Sequence, residues 1–229
     1  MAIVKKYPVK VTSILNQIEG VYTLELESLG KPFKFEPGQF LHLALDEYDP
    51  SAQWPDSRCF SIQSAPAQNT IKITYAVKGA FTSKMQEQLK VGSEITIKLP
   101  YGDLFSQAHN KINTVFIAGG TGITPYLSLF NDSSFVNYNK PVLYAGFKNA
   151  EMNIYKGELL IAKQINSALE INLLYQDIDG ILNIEEIHNK SKNDTSFFIS
   201  GPPIMISSFK EYLLRQGLTK EQIKTDDWE

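Results

Sequence analysis

The sequence predicts two domains, an antiparallel six-stranded β-barrel followed by a doubly wound parallel α/β sheet. Three observations lead there. Apolar and polar residues alternate with period two through the first half of the chain. Gly and Pro punctuate the ends of those alternating runs. After about residue 107 the pattern changes to short unbroken apolar runs separated by helical stretches. Alternation marks half-buried strands, whereas continuous apolar strands between helices mark a parallel sheet covered on both faces.

In order, the barrel strands that the alternation marks are 9-VKVTSIL-15, 21-VYTLELES-28, 39-QFLHLAL-45, 70-TIKITYAV-77 and 94-EITIKL-99. Within 70–77, Ile71, Ile73, Tyr75 and Val77 share one face, and Lys72 and Thr74 the other. Breaks fall at Lys31-Pro32, Pro37-Gly38, Gly92 and Pro100. One helix is expected here, over 82-TSKMQEQL-89, with Thr82 or Ser83 as its cap. The second half offers strands at 115-VFIA-118, 142-VLYAG-146, 171-INLLY-175 and 197-FFIS-200. Helices are expected over 158-ELLIAKQI-165 and 203-PIMISSFKEYLLRQG-217. The hydrophilic stretch 106-SQAHNKIN-113 reads as the linker, giving domains at 1–107 and 110–229.

Composition narrows the function. The 229 residues carry a net charge of -3, without a Lys/Arg cluster dense enough for nucleic acid. No apolar run reaches the length of a membrane span, and MAIVKKYPVK has no signal-peptide core. Cys59 is the only cysteine, which excludes a disulfide framework or a cysteine-ligated cluster in these residues. His42, His109 and His188 lack metal-ligand spacing, so no metal site is expected. A reducing cytoplasm is the expected compartment.

The sharpest motif is 114-TVFIAGGTGITPYLSLF-130. An apolar strand stops at Gly119, Gly120 and Gly122, and an apolar helical pattern follows. Glycines there let backbone N–H groups approach a phosphate at a helix start. Thr124 is expected to cap that helix, with Pro125 at its first position. No Gly-Lys-Ser/Thr follows, and the third glycine of a G-x-G-x-x-G pattern is replaced by Pro125. A tight turn with no ligand is the alternative.

GGTGITP after an apolar strand resembles the nucleotide loop of the ferredoxin–NADP reductase family, flavin enzymes with a barrel and then a nucleotide-binding domain. The resemblance implies that Gly120, Thr121, Gly122, Thr124 and Pro125 lie under the pyrophosphate of NAD(P)H, the glycines leaving room for it. The stretch 58-RCFSIQSAP-66 is similar to the family's Arg-x-Tyr/Phe-Ser/Thr signature. By that likeness Arg58 meets the flavin phosphate, Cys59 lines the site, Phe60 packs on the isoalloxazine and Ser61 sits near N5. Tyr75 and Val77, on the 70–77 strand, are also expected among the cofactor-binding residues. The stretch 78-KGAFTSKM-85 resembles the family's flavin pyrophosphate segment, with Gly79, Ala80, Phe81, Thr82 and Ser83 at a helix start. The turn 100-PYGDLF-105 is similar to a loop that closes the family's barrel.

In 200-SGPPIMISSF-209, Ser200 stands where the family has a Cys-Gly-Pro cysteine, so Ser200, Gly201 and Pro202 are expected near the nicotinamide. The resemblance further implies that Trp228, following Asp227, shields the flavin until nicotinamide arrives. Asp177, after the third strand of the second domain and near Asp179, is expected to accept the ribose hydroxyl and favour NADH over NADPH. The implied whole is an FAD-dependent NAD(P)H oxidoreductase that stacks nicotinamide on flavin in the cleft between its domains. It would pass electrons to a separate acceptor such as ferredoxin, flavodoxin or an oxygenase component. Ser61, Ser200 and Trp228 would lie at the reacting atoms. The rivals are a reductase that uses flavin as substrate, and a nucleotide-responsive interaction subunit without turnover.

Overall fold

The computed structural model describes residues 3–226. The chain divides into two compact units between Asp103 and Leu104.

The first unit is a six-stranded antiparallel sheet of β1 (Lys5–Ile18), β2 (Val21–Ser28), β3 (Phe40–Ala44), β4 (Ser57–Ser61), β5 (Thr70–Ala76) and β6 (Glu94–Tyr101), in the order β4-β3-β6-β1-β2-β5. The two ends of the order are brought together just past β4. There Gln63 N–H donates to the Lys72 carbonyl at 2.8 Å, and Lys72 N–H to Ser64 Oγ at 3.0 Å. The expected alternation is realised: Ile71, Ile73 and Tyr75 face a core with Val9, Val11, Leu24, Leu26, Leu41, Leu43, Ile97 and Leu99. Each such aliphatic side chain, fully buried, contributes about 1.5–3 kcal/mol. On the other face Thr74 is also buried, because its hydroxyl bonds Thr23 Oγ1 (2.8 Å) and Gln63 Oε1 (2.6 Å) beneath the chain that follows β4.

Helix α1 (Ala80–Gln88) covers the core with Phe81 and Met85. It begins two residues earlier than expected, and neither Thr82 nor Ser83 is its cap. Gly79 is the capping residue, and Thr82 Oγ1 reaches back to accept from the N–H groups of Lys78 and Gly79 at 3.0 and 3.1 Å. A hydroxyl three residues into a helix can satisfy upstream donors this way. That alternative is hard to separate from a cap in sequence.

The second unit is a five-stranded parallel sheet of β7 (Thr114–Gly119), β8 (Val142–Phe147), β9 (Glu170–Tyr175), β10 (Ser196–Ser200) and β11 (Ile223–Thr225), in the order β11-β10-β7-β8-β9. Phe116 and Ala118 of β7 face α2 (Thr124–Phe130) and α3 (Lys156–Ile165), while Val115 and Ile117 face α5 (Ile184–Asn189) and α6 (Pro203–Arg215). A short α4 (Gln176–Asp179) follows β9. Covered on both faces, the middle strands need apolar residues at every position, which explains their unbroken runs.

The stretch expected as a linker is built into this second unit. Leu104 and Phe105 belong to its core. Asn110 N–H bonds Ser196 Oγ at 2.9 Å, and the His109 ring stacks on Tyr138 and meets Phe198 edge-on. Polar side chains made 106–113 look like a linker, but those side chains are spent on the unit's own strand ends.

His109 is held by two bonds, Nδ1 to the Gln107 carbonyl at 2.7 Å and Nε2 to the Tyr138 hydroxyl at 2.6 Å. A carbonyl only accepts, so Nδ1 carries the proton and Nε2 accepts from Tyr138. Burial, foremost, lowers the His109 pKa, with Lys111 and Lys224 adding to it against the Gln107 bond. A histidine kept neutral by folding gives stability that is complete above its unfolded value, about 6.5, and lost as pH falls through that value toward the folded one. Between pH 7 and 5, His109→Gln should therefore lose less denaturation midpoint than the unaltered protein. Equal acid slopes in the two proteins would refute this role; His42 is common to both and cancels.

Candidate cofactor sites

In the first unit, β4 presents Arg58 and Phe60 on one face and Cys59 and Ser61 on the other, as period two requires. Arg58 is half exposed, bonds Asp56 Oδ1 at 2.5 Å, and lies with its guanidinium 5.1 Å from the centre of the Phe81 ring. Phe81 is the second residue of α1, so the cation stands at that helix's first turn. The first bond inside the helix runs from Ser83 N–H to the Gly79 carbonyl at 2.9 Å. The N–H groups of Ala80, Phe81 and Thr82 therefore precede the ladder, with the positive end of the helix behind them. A Cβ on Gly79 would meet nothing within 4 Å, so the approach is open. Backbone donors, helix dipole and a guanidinium suit a doubly charged phosphate ester, and the residues fit the phosphate end of a flavin nucleotide. Ser83, expected among the donors, has its N–H inside the helix.

The ring-binding expectations meet a more buried arrangement. Phe60 is 9% exposed and edge-on to Tyr75, and Tyr75 is itself 4% exposed and stacked on Tyr22 at 5.6 Å. Burial, with the neighbouring Tyr22 hydroxyl, pushes the Tyr75 phenol up to about 12. Both rings are core residues that offer at most an edge. Val77 lies just beyond β5, its N–H bonded to the Gly20 carbonyl at 2.8 Å. The Cys59 thiol turns to His42, 3.5 Å from Nε2, and burial raises its pKa against the opposing pull of Arg58. Ser61, half-buried, is the last residue of β4 and pairs with Phe40.

In the second unit, β7 leads to β8 and β9 on one side, and the chain then returns to place β10 on the other. The carboxyl ends of β7 and β10 thus flank the topological switch point, where open α/β sheets bind ligands. Gly119–Gly122 leaves β7 there, and Ser200-Gly201-Pro202 leaves β10. The glycines are needed for different reasons. A Cβ on Gly122 would stand 2.6 Å from Gly201 N, Gly201 Cα and the Ser200 carbonyl. One on Gly119 would stand 2.8 Å from Pro202 Cδ and 3.1 Å from Met205 Sδ. One on Gly201 would approach Gly119 N to 2.9 Å, and Gly201 has φ +147°. For Gly119 and Gly122 the structure supplies a reason that the sequence did not show: each makes room for the other loop. Gly120 alone opens outward, with φ +55° and nothing within 4 Å of its absent side chain.

Thr124 does not cap α2. A turn of 3₁₀ helix, Gly120–Ile123, precedes it, Ile123 is the capping residue, and Thr124 is buried with Oγ1 donating to the Thr121 carbonyl at 2.9 Å. Pro125 is the second residue of α2, also buried. Asp177 is exposed, its N–H bonded to the Lys148 carbonyl at 3.2 Å, while Asp179 Oδ2 accepts from Tyr175 N–H at 2.8 Å. Both acids are exposed, and Asp179 is the one whose carboxylate is engaged by a backbone N–H. Ser200 is 2% exposed and its Oγ lies 3.1 Å from Asp226 Oδ2. Sequence reasoning passed over Asp226 for Asp227, because the parallel register that sets Thr225 against Ile199 leaves no local signal. Trp228 and Asp227 lie outside the described residues.

Residues 4–205 match the family model described as an FAD-binding domain. The chain belongs to this FAD-binding family. Among its relatives is a flavohemoprotein of Rhizobium meliloti, 22% identical over 222 residues, covering 88% of this chain and 55% of that protein. Another is the reductase component of propane 2-monooxygenase from Rhodococcus jostii, 25% identical over 235 residues, covering 95% of this chain and 62% of that one. This family member therefore spans roughly three fifths of the length of these curated relatives. The fold is that of a ferredoxin NADP+ reductase from Neisseria gonorrhoeae solved with bound FAD and NADP, with TM-score 0.79, 18% identity and 99% of each chain covered. Among the described residues no helix is long and apolar enough to cross a membrane.

Proposed function

We propose that the protein is an NAD(P)H-dependent flavoprotein reductase that holds FAD and passes electrons to a separate acceptor, such as an oxygenase component, a ferredoxin or a flavodoxin, in the cytoplasm. The observation that carries this reading is the anion cradle of Arg58 and the α1 start, opened by Gly79. Such a cradle would retain a flavin by its phosphates through catalysis. Bound FAD supplies hydride acceptance from nicotinamide and one-electron release to the acceptor. The chain's own work is placement. Arg58 and the N–H groups of residues 80–82 hold the phosphates, and Phe60 and Ser61 border the ring. Gly120 and Thr121 admit the pyrophosphate of the pyridine nucleotide, next to the Ser200 turn. The relatives that are monooxygenase reductase components support this class of acceptor.

The test is dye reduction by NADH or NADPH after gel filtration, with no flavin added. Turnover supports retained FAD. Turnover only on adding flavin would favour the flavin-as-substrate reading, and none in either case would favour a subunit without turnover.

NADH is the proposed donor. The exposed Asp177 accepts a ribose hydroxyl and repels a 2′-phosphate. Asp177→Asn should lower the NADH-to-NADPH ratio of kcat/KM about tenfold, the effect of roughly 1.4 kcal/mol. An unaltered protein that prefers NADPH would refute the assignment.

A further inference from the structure

We infer that Asp56 is a specificity-determining residue of the Arg58 cradle, which selects phosphates carrying one negative charge each over a monoester carrying two. The inference rests on the reading of that cradle as a flavin phosphate site and adds the charge that the site accepts. Both described bonds of Arg58 use Nη1, one to Asp56 Oδ1 at 2.5 Å and one to the Ser57 carbonyl at 2.8 Å. A guanidinium has five N–H donors, so three remain on Nη2 and Nε for a ligand. A phosphate taken there lies beside a carboxylate already in contact with its cation. Each further negative charge on that phosphorus gains from Arg58 and loses to Asp56. A pyrophosphate diester spreads two charges over two phosphorus atoms, whereas a terminal monoester puts about -1.5 to -2 on one.

Asp56 is not a surface acid that can swing away. It ends the connection from β3, which closes at Ala44, to β4, which opens at Ser57. That connection is fastened to the face of the sheet opposite its core. Trp54 Nε1 donates to Ser57 Oγ at 2.9 Å, and Lys98 Nζ stands 4.0 Å from the centre of the Trp54 ring. Tyr48 packs 5.5 Å from Trp54, with Lys6 Nζ 4.0 Å from its own ring centre. Pro55, between Trp54 and Asp56, fixes one backbone angle of the short link that remains. Another acid of the connection is turned elsewhere: Asp49 Oδ1 accepts from the Ser51 N–H and hydroxyl at 2.8 and 2.7 Å. Asp56 is the carboxylate that this strap delivers to Arg58.

The experiment uses the full chain freed of flavin and measures Kd for FAD, FMN and riboflavin by calorimetry. Asp56→Asn keeps an oxygen that accepts from Nη1 and removes only the charge. It should lower the ratio of Kd for FMN to Kd for FAD about fivefold at low ionic strength, the effect of one unit charge a few ångströms away in water. In about 1 M NaCl, where the screening length is about 3 Å, the difference should nearly vanish. Riboflavin, which has no phosphate, should bind both proteins alike. Asp56→Ala, at an exposed position, should move the ratio in the same direction. The proposal is overturned if Asp56→Asn leaves the ratio unchanged, if riboflavin shifts as much as FMN, or if the shift persists at high salt. An effect of Asp56→Ala without one of Asp56→Asn also overturns it, since Asp56 then only steers Arg58. If the unaltered chain binds none of the three, the cradle reading fails and the inference with it. That outcome is distinct from flavin binding with an unmoved ratio.

Discussion

Arg58→Ala should strip the protein of its flavin. The guanidinium beside the first turn of α1 is the one side-chain cation placed at that anion cradle by a described contact, 5.1 Å from the Phe81 ring. Hydrogen bonds to charged groups are each worth about 1.5–3 kcal/mol, so losing one weakens flavin binding about 10- to 100-fold. Fold stability should change little, because Arg58 is half exposed and its pair with Asp56 is a surface ion pair. The conservative variant Arg58→Lys should retain flavin only partly, since an ammonium lacks the fork that meets a phosphate through two bonds. Flavin-to-protein ratio after gel filtration, alongside a thermal melt, reads both effects. Full flavin retention in Arg58→Ala would remove Arg58 from the site.

Gly122→Ala should have the second large effect, through the fold instead of the ligand. The added methyl carbon would sit 2.6 Å from backbone atoms of Ser200 and Gly201 that cannot turn aside as a side chain can. Overpacking of this kind costs about 1–3 kcal/mol, and a clash with backbone on the far side belongs at the upper end. The second unit should therefore melt earlier and bind nucleotide poorly, with flavin content in the first unit kept. Gly120→Ala makes the contrast. Its φ of +55° costs about 1–2 kcal/mol for any L side chain, but the methyl meets no protein atom and projects to the open side. There the loss should appear mainly as a raised KM for NADH. If Gly122→Ala melts like the unaltered protein while Gly120→Ala collapses, the roles assigned to the two glycines are reversed.

These glycines also show which features can be read from a sequence and which cannot. Period-two alternation placed the barrel strands because burial of one face acts locally, residue by residue. Unbroken runs such as Val115–Ala118 announced a sheet covered on both sides for the same reason. The motif at Gly119–Gly122 was visible, yet its physical cause was not. What crowds Gly122 is Gly201, far along the chain and brought near only by the β7–β10 pairing. Asp226 was missed on the same account, since its partner Ser200 is found through parallel register. His109 and Asn110 looked like linker residues because polarity alone does not tell solvent from a strand end that needs bonds. Thr82 was read as a cap when it is the residue that answers one. For Gly122, Asp226 and Asn110 the deciding partner lay far along the chain.

The central claim is that this chain carries a flavin that NADH reduces. The visible spectrum of the purified protein, recorded without oxygen before and after NADH, tests it most directly. The account predicts a yellow protein whose flavin absorbance bleaches on adding NADH and returns when an electron acceptor is supplied. A colourless protein that stays colourless after incubation with FAD and desalting, or a bound flavin that neither NADH nor NADPH reduces, would contradict it.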